Sequence, residues 1–151
     1  QAEDGIRDKG MWLEFRRVLF RSTVLQIADL VPIVLDIHHH WINSGEYIEP
    51  TDDRIKRVID SWRGNRPTCH YSVSREDCLV SHPSDQRPAR DALMEQGHNK
   101  QKLRAHSDYY WNDAVNDWAL TFNEHFDIMC ESKAKNLASQ KLYERKYGII
   151  W

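Results

Sequence analysis

No stretch of the 151-residue chain holds enough consecutive apolar residues to cross a bilayer. The longest, Val31-Pro32-Ile33-Val34-Leu35, stops at Asp36, well short of the roughly 18–20 residues a membrane helix needs. No membrane partner is therefore expected. Excess charge of one sign is also missing: 21 Lys plus Arg face 23 Asp plus Glu, for a formal net charge of −2. That balance excludes a basic nucleic-acid-binding tail, and a 40% hydrophobic content excludes a disordered chain. Cys69, Cys78 and Cys130 form no C-x-x-C pair and leave one cysteine over. They argue against a disulfide framework and for a reducing, intracellular compartment, the cytoplasm. Internal repeats, low-complexity tracts and a secretory leader pattern are absent too. Two residue types are abundant instead, with eight His and six Trp. Histidine gathered with carboxylates is what a metal site requires.

The first 22 residues, QAEDGIRDKGMWLEFRRVLFRS, differ from the rest. One reading is a short helix over Trp12–Phe20. The strings AEDGIRD and FRRVLFRS also resemble translated sequencing-adapter read-through, and on that reading native sequence begins near Thr23. Segments of this kind are set aside in reasoning about a fold. Residues 23–151 then form one portion of a domain, mildly acidic overall.

Within that portion strands and helices alternate. The unbroken apolar run Val31–Leu35 suits a strand buried on both faces, followed by a polar loop through Asn43-Ser44-Gly45. Thr51 is positioned to cap a helix with Asp52 and Asp53 in its first turn. Ile55, Val58, Ile59 and Trp62 share one face of that helix, and Gly64 sits where it should end. Pro67–Tyr71 reads as a second strand, with proline at its start. A long loop from Ser72 to about Tyr110 follows, broken by a short helix at Ala89–Gln96. A helix over Asn112–His125 presents Ala114, Val115, Trp118, Ala119 and Phe122 on one face. Asp127–Glu131 reads as a third short buried strand. The last helix, about Ala134–Lys146, turns Leu137, Ala138, Leu142 and Tyr143 inward. This alternation predicts an α/β fold with a parallel sheet. Three such units make either a small open sheet or the tail of a barrel, because a closed barrel takes about 250 residues.

The polar residues at the strand ends carry the chemistry. The first strand runs into Asp36-Ile37-His38-His39-His40, the second carries His70, and the third ends on Glu131. Parallel α/β folds bind ligands at the carboxyl ends of their strands, so these positions converge on one face. Carboxylate and imidazole together suit Zn, Mn or Fe. His106, on the long loop, is a fourth candidate. Each has a plainer counterpart: Asp36 as a cap, His70 as a core histidine, the HHH run as a solvated loop, Glu131 paired with Lys133 or Lys135. Cations gather nearby, with His98, Lys100, Lys102 and Arg104 ahead of His106 and Lys133 and Lys135 after the third strand. Tyr109, Tyr110 and Trp111 add an aromatic group able to stack on bases.

The stretches VPIVLDIHHHWINSGEYI, RPTCHYSVSRED, KLRAHSDYYW and DIMCESKAKNLA resemble the last third of UV-damage endonucleases. The resemblance covers about residues 23–151, in order. It implies the last three β/α units of a TIM (β/α)8 barrel, incomplete here and similar in fold to xylose isomerases and endonuclease IV. It further implies a metal-dependent DNA-repair endonuclease that nicks the backbone 5′ to UV photoproducts. The expected cofactor is a divalent metal, Mn2+ first and Zn2+ or Mg2+ next. The expected partner is double-stranded DNA with UV lesions, bound by a protein that is a monomer when intact. Carried over residue by residue, Asp36 and His39 resemble a metal-binding D-x-x-H pair. His70, His106 and Glu131 resemble further ligands, and Glu131 and Lys133 are the expected catalytic residues. Lys102, Arg104, Tyr109, Lys133 and Lys135 are the expected DNA contacts. His38 and His40 receive no role. Thr68 stands where the family often carries a lysine, sometimes carboxylated, and so departs from the pattern. Two other readings compete: a sugar isomerase or epimerase on the same fold, and a truncated piece without activity.

Overall fold

A computed structural model describes residues 25–148. The readings made for residues 1–22, including the Trp12–Phe20 helix, lie outside them. The described chain is a three-stranded parallel sheet in the order β1-β2-β3, with β1 at Leu35–Asp36, β2 at Thr68–Tyr71 and β3 at Asp127–Cys130. Six helices accompany it: α1 Ile37–Ser44, α2 Asp53–Ser61, α3 Arg90–Glu95, α4 Lys100–Leu103, α5 Asp113–Thr121 and α6 Asn136–Tyr147. No described helix is long and apolar enough to cross a membrane.

The first strand is shorter than its apolar run predicts. Leu35 pairs with Cys69 and Asp36 with His70, so the residues before Leu35 run past the start of β2, where Pro67 offers no N–H. Ile33 instead gives its N–H to Ser61 Oγ at 2.9 Å and its carbonyl to Trp62 Nε1 at 2.9 Å. Ile33 and Leu35 are buried, but Val31 and Val34 are exposed, which corrects the reading of a strand buried on both faces.

No polar loop follows β1. Helix α1 begins at once, because Ile37, Trp41 and Ile42 make one apolar face and the Asp36 carboxylate accepts the His39 N–H at 2.8 Å as an N-cap. Gly45 ends the helix at φ +82°, donating to the Trp41 carbonyl at 2.7 Å. The cap of α2 is Asp52 rather than Thr51, accepting the Arg54 N–H at 2.8 Å.

The helix expected over Asn112–His125 forms as α5 with Asn112 as its N-cap, but it stops at Thr121, and a 3-10 turn covers Phe122–Glu124. Arg66 takes the freed carbonyls of Asn123, Glu124 and Phe126 at 2.7–3.3 Å, which satisfies the early ending. β3 is not a buried strand: among the described residues it pairs only with β2, and Met129 is 52% exposed. On α6 only Ala138 and Leu142 turn inward; Leu137 and Tyr143, expected inside, are 55% and 53% exposed. A narrow sheet edge covers only a narrow helix stripe.

The main core lies between the sheet and α2 and α5. Leu35, Cys69 and Tyr71 from the sheet meet Ile55, Val58, Trp118, Phe122 and Phe126. A second cluster, Trp41, Ile42, Leu79, Leu93 and Leu103, sits under the long loop and explains why 38 residues between β2 and Tyr110 stay ordered against the body. Tyr71, stacked on Tyr110 at 5.0 Å, donates to Asn116 Oδ1 at 2.6 Å, and Asn116 donates in turn to the Tyr110 carbonyl. The three cysteines are free thiols, and burial pushes the Cys69 thiol up to about 12.

The Arg54 guanidinium beside Asp52 holds its carboxyl at about 2, against an ordinary 3.8. A carboxylate depressed by folding stabilises above its unfolded value and ceases to as the pH falls through the folded one. The first turn of α2 is therefore expected to hold above pH 3.8 and to loosen as the pH drops toward about 2. Backbone NMR shifts of Asp53–Ile55 report this, and Asp52→Asn, which keeps a capping oxygen, should abolish the transition.

Candidate metal centre

Sheet register brings the site together. Asp36 lies beside His70, which lies beside Met129, at the carboxyl ends of the three strands. Glu131, two residues past Met129, returns to the same face by the period-two rule. Its N–H continues the ladder, bonding to the Tyr71 carbonyl at 2.8 Å. One ligand atom from each of Asp36, His70 and Glu131 falls within 4.8 Å of the others, and all three side chains are half-buried. His70 Nδ1 stands 3.1 Å from Glu131 Oε1.

His106 and His39 stand next to this trio. His106 Nε2 is 3.9 Å from Glu131 Oε2, and His39 Nδ1 is 4.0 Å from Asp36 Oδ2. The two rings are 6.4 Å apart between centroids. The loop that carries His106 is stitched in place by backbone bonds on both sides. Ser74 and His106 form an antiparallel bridge, and Ser107 donates to the Val73 carbonyl at 3.0 Å. On the other side, Lys133 and Ala134 donate to the carbonyls of Ser107 and Asp108, each at 3.1 Å. A loop far from β2 in sequence thus becomes an extra rail between β2 and the segment after β3.

Burial pushes the Asp36 carboxyl up, and the nearby Glu131 adds to this; the His39 imidazole and backbone pull the other way. Two carboxylates held this close repel unless a cation or proton stands between them. The donor set of two carboxylates and one imidazole, flanked by two more imidazoles, fits a divalent ion of intermediate hardness. The helix cap uses only Asp36 Oδ1, while Oδ2 lies 4.0 Å from His39 Nδ1. Thr68, two residues before His70, shares that strand face but offers no lysine amine.

The cations expected near DNA lie farther out. Lys133 Nζ is 3.6 Å from Asp108 Oδ1 on the rim. Lys135 is exposed at φ +50°, an unusual backbone for a non-glycine residue, just before α6. Lys102 is exposed on α4, and Tyr109 lies 4.4 Å under the Lys141 ammonium. Arg104 turns elsewhere: its Nη2 donates to Asn43 Oδ1 at 3.3 Å, while Arg90 and Lys100 donate to the Asn43 carbonyl. These three cations serve the carboxyl end of α1, where the helix dipole is negative.

Two histidines without a role in the sequence reading are also settled. His38 is buried, and burial with His39 and His106 nearby holds it down at about 3, so the ring is neutral. His40 is buried with Nε2 3.3 Å from both Glu46 Oε2 and Ser44 Oγ. Reading HHHWI with helical period, rather than as loop, separates these rings onto different faces.

The fold and site therefore define a parallel α/β protein with a carboxylate–imidazole cluster at its strand ends, suited to divalent metal. The family model described as UV-endonuclease UvdE matches residues 20–149, and the chain belongs to that family. Curated relatives named UV DNA damage endonuclease include proteins of Bacillus cereus (strain B4264) and Bacillus anthracis (strain A0248), 28% identical over 122 and 124 residues. Each match covers 79% of this chain and 31% of the relative. The relative from Bacillus cereus (strain Q1) is 28% identical over 113 residues. The chain thus spans about a third of the length of the curated relatives it matches. No solved structure matches it.

Asp36→Asn separates capping from the ligand role expected of that residue, because asparagine caps helices as well as aspartate does. The thermal midpoint should stay in place while Mn2+ affinity, measured by titration calorimetry, falls by about tenfold or more. Unchanged affinity removes Asp36 from the ligand set.

Proposed function

We propose that this chain is the metal-holding, carboxyl-terminal portion of a DNA-repair endonuclease that nicks the phosphodiester backbone 5′ to UV lesions in duplex DNA. The convergence of Asp36, His70 and Glu131 from three strands carries the reading. Family membership and the names of the Bacillus relatives support it. Within a whole protein this portion corresponds to the last three β/α units of a TIM barrel. Support comes from the parallel order β1-β2-β3 and from the way β1 and β3 each pair only with β2 among the described residues. We take the compartment to be the cytoplasm and the intact protein to be monomeric.

Asp36, His39, His70, His106 and Glu131 would hold the metal, with Mn2+ the first choice and Zn2+ or Mg2+ the next. A divalent ion at such a site supplies Lewis-acid activation of water and neutralisation of phosphate charge. The chain's own residues do the positioning. The N-cap bond from the His39 amide fixes the Asp36 carboxylate. His70 and His106 approach opposite oxygens of Glu131 and set its orientation between them. Glu131 is the catalytic carboxylate in this reading. Lys133, held at the rim by Asp108, is within reach of a phosphate once that weak exposed pair opens. Lys102, Lys135 and Tyr109 are exposed for contact with the duplex, whereas Arg104 acts by holding α4 to α1. Lesion selection rests on deformability, since damaged DNA is cheaper to bend and unstack.

A chimera joining residues 23–151 to the first two-thirds of the Bacillus cereus relative tests the reading. It should nick UV-irradiated duplex in the presence of Mn2+ and show no sugar isomerisation. Glu131→Gln should slow nicking by on the order of a hundredfold or more while leaving duplex binding intact. Cleavage at the parent rate by the variant refutes the role of Glu131, and turnover of a sugar instead of DNA refutes the nuclease reading.

A further inference from the structure

Beside the imidazole cluster lies a small, partly open cavity of about 20 Å³, walled by His38, Trp41, Ser72, Val73, Leu79 and Trp118 among others. Two of its walls carry buried polar atoms with no protein partner, His38 Nε2 and Trp41 Nε1. Their side chains are 4% and 3% exposed. They stand three residues apart on α1, with rings 6.0 Å apart and 26° from parallel. The orphan indole is out of character for this molecule. Trp62, Trp111 and Trp118 donate to the carbonyls of Ile33, Ser74 and Ile48 at 2.8–2.9 Å, and among the described tryptophans only Trp41 lacks an acceptor. A buried donor left unpaired keeps its full desolvation cost, so native structures fill such gaps.

The two orphans are complementary. The Leu103 carbonyl, which accepts Ser74 Oγ at 2.7 Å, also faces the His38 ring and calls for N–H on its other nitrogen, Nδ1. Nε2 is then a bare lone pair in need of a donor, while the indole N–H needs an acceptor. Ser72 Oγ, 2% exposed at residue level, reaches only the Val73 carbonyl at 3.4 Å and has capacity to spare. A species that accepts once and donates twice fits this wall.

We propose that the cavity is a binding site for one ordered water molecule, which accepts from Trp41 Nε1–H and donates to His38 Nε2 and Ser72 Oγ. The volume is that of one water, and three polar partners are the usual number for a buried water. An unpartnered indole N–H on a residue lining the cavity disfavours a cation. Its place in the architecture gives the water a consequence: it fixes the plane of His38, whose ring lies 5.9 Å from His39 and 6.1 Å from His106. The hydrated pair is the floor beneath two histidines of the candidate centre. The inference does not depend on the nuclease reading.

A crystal structure of the chain at a resolution that shows ordered solvent should place one water in this cavity. Nitrogen chemical shifts should report His38 as the Nδ1–H tautomer, and the Trp41 indole proton should give a cross-relaxation peak to a long-lived water. Trp41→Phe keeps an aromatic six-membered ring and removes the donor, and the water's occupancy at His38 and Ser72 falls. Ser72→Ala serves as a second variant should Trp41→Phe not fold, and should shorten the water's residence time. An empty cavity, an Nε2–H tautomer at His38, or an indole peak to protein protons alone overturns the proposal.

Discussion

The register of the parallel sheet is the constraint on which the rest depends. Pairing Leu35 with Cys69 and Tyr71 with Cys130 leaves Asp36, His70 and Glu131 at one end of three strands and on one face. A slip of one residue in any strand would turn its donor to the opposite face, because side chains alternate along a strand. The packing that holds the register is therefore also what holds the site. Leu35, Cys69 and Tyr71 lock the sheet onto the helices with alternate side chains, and the intervening ones are released toward solvent.

Around that centre, polar contacts each solve a local problem of chain ending or loop anchoring. Asp36 closes the amino end of α1, while Arg90, Lys100 and Arg104 gather at its carboxyl end through Asn43. Arg66 closes the carbonyls after α5. The segment at Ala105–Asp108 is fastened by backbone bonds rather than by apolar burial, so it can stay partly open to solvent while holding His106 still. A rigid backbone with a half-exposed imidazole is what a ligand-bearing loop needs. Apolar burial enters one layer deeper, where Trp41, Leu79 and Leu103 seal the floor.

Family membership and geometry inform each other without being redundant. The matched relatives are about three times longer than the matched segment, and the sheet here has a free edge on β1 and another on β3 among the described residues. Val34, just before β1, and Met129, on β3, are exposed apolar side chains beside those free edges. Met129 belongs to the same face as His70, which places that uncovered surface next to the metal-capable cluster.

Periodicity and capping chemistry already specify the order of the three strands and of α2, α3, α5 and α6, the parallel class and the polar strand-end residues, because each depends on near neighbours in the chain; α1, read as a polar loop, and α4 escape them. The three strands, α2 and α5 all lie where apolar spacing puts them, within a few residues. Other features were decided only by contacts distant in sequence. Val31 and Val34 read as strand but are cut off by where β2 begins, and Leu137 and Tyr143 read as inward but find no partner surface. His38, His39 and His40 are identical letters in a row. Helix geometry sends one to the wall of a small cavity, one to Asp36 and one to Glu46. Local composition determines which groups are available for chemistry. Only the packed chain determines which of them face each other, because burial and proximity are properties of surfaces far apart in the sequence.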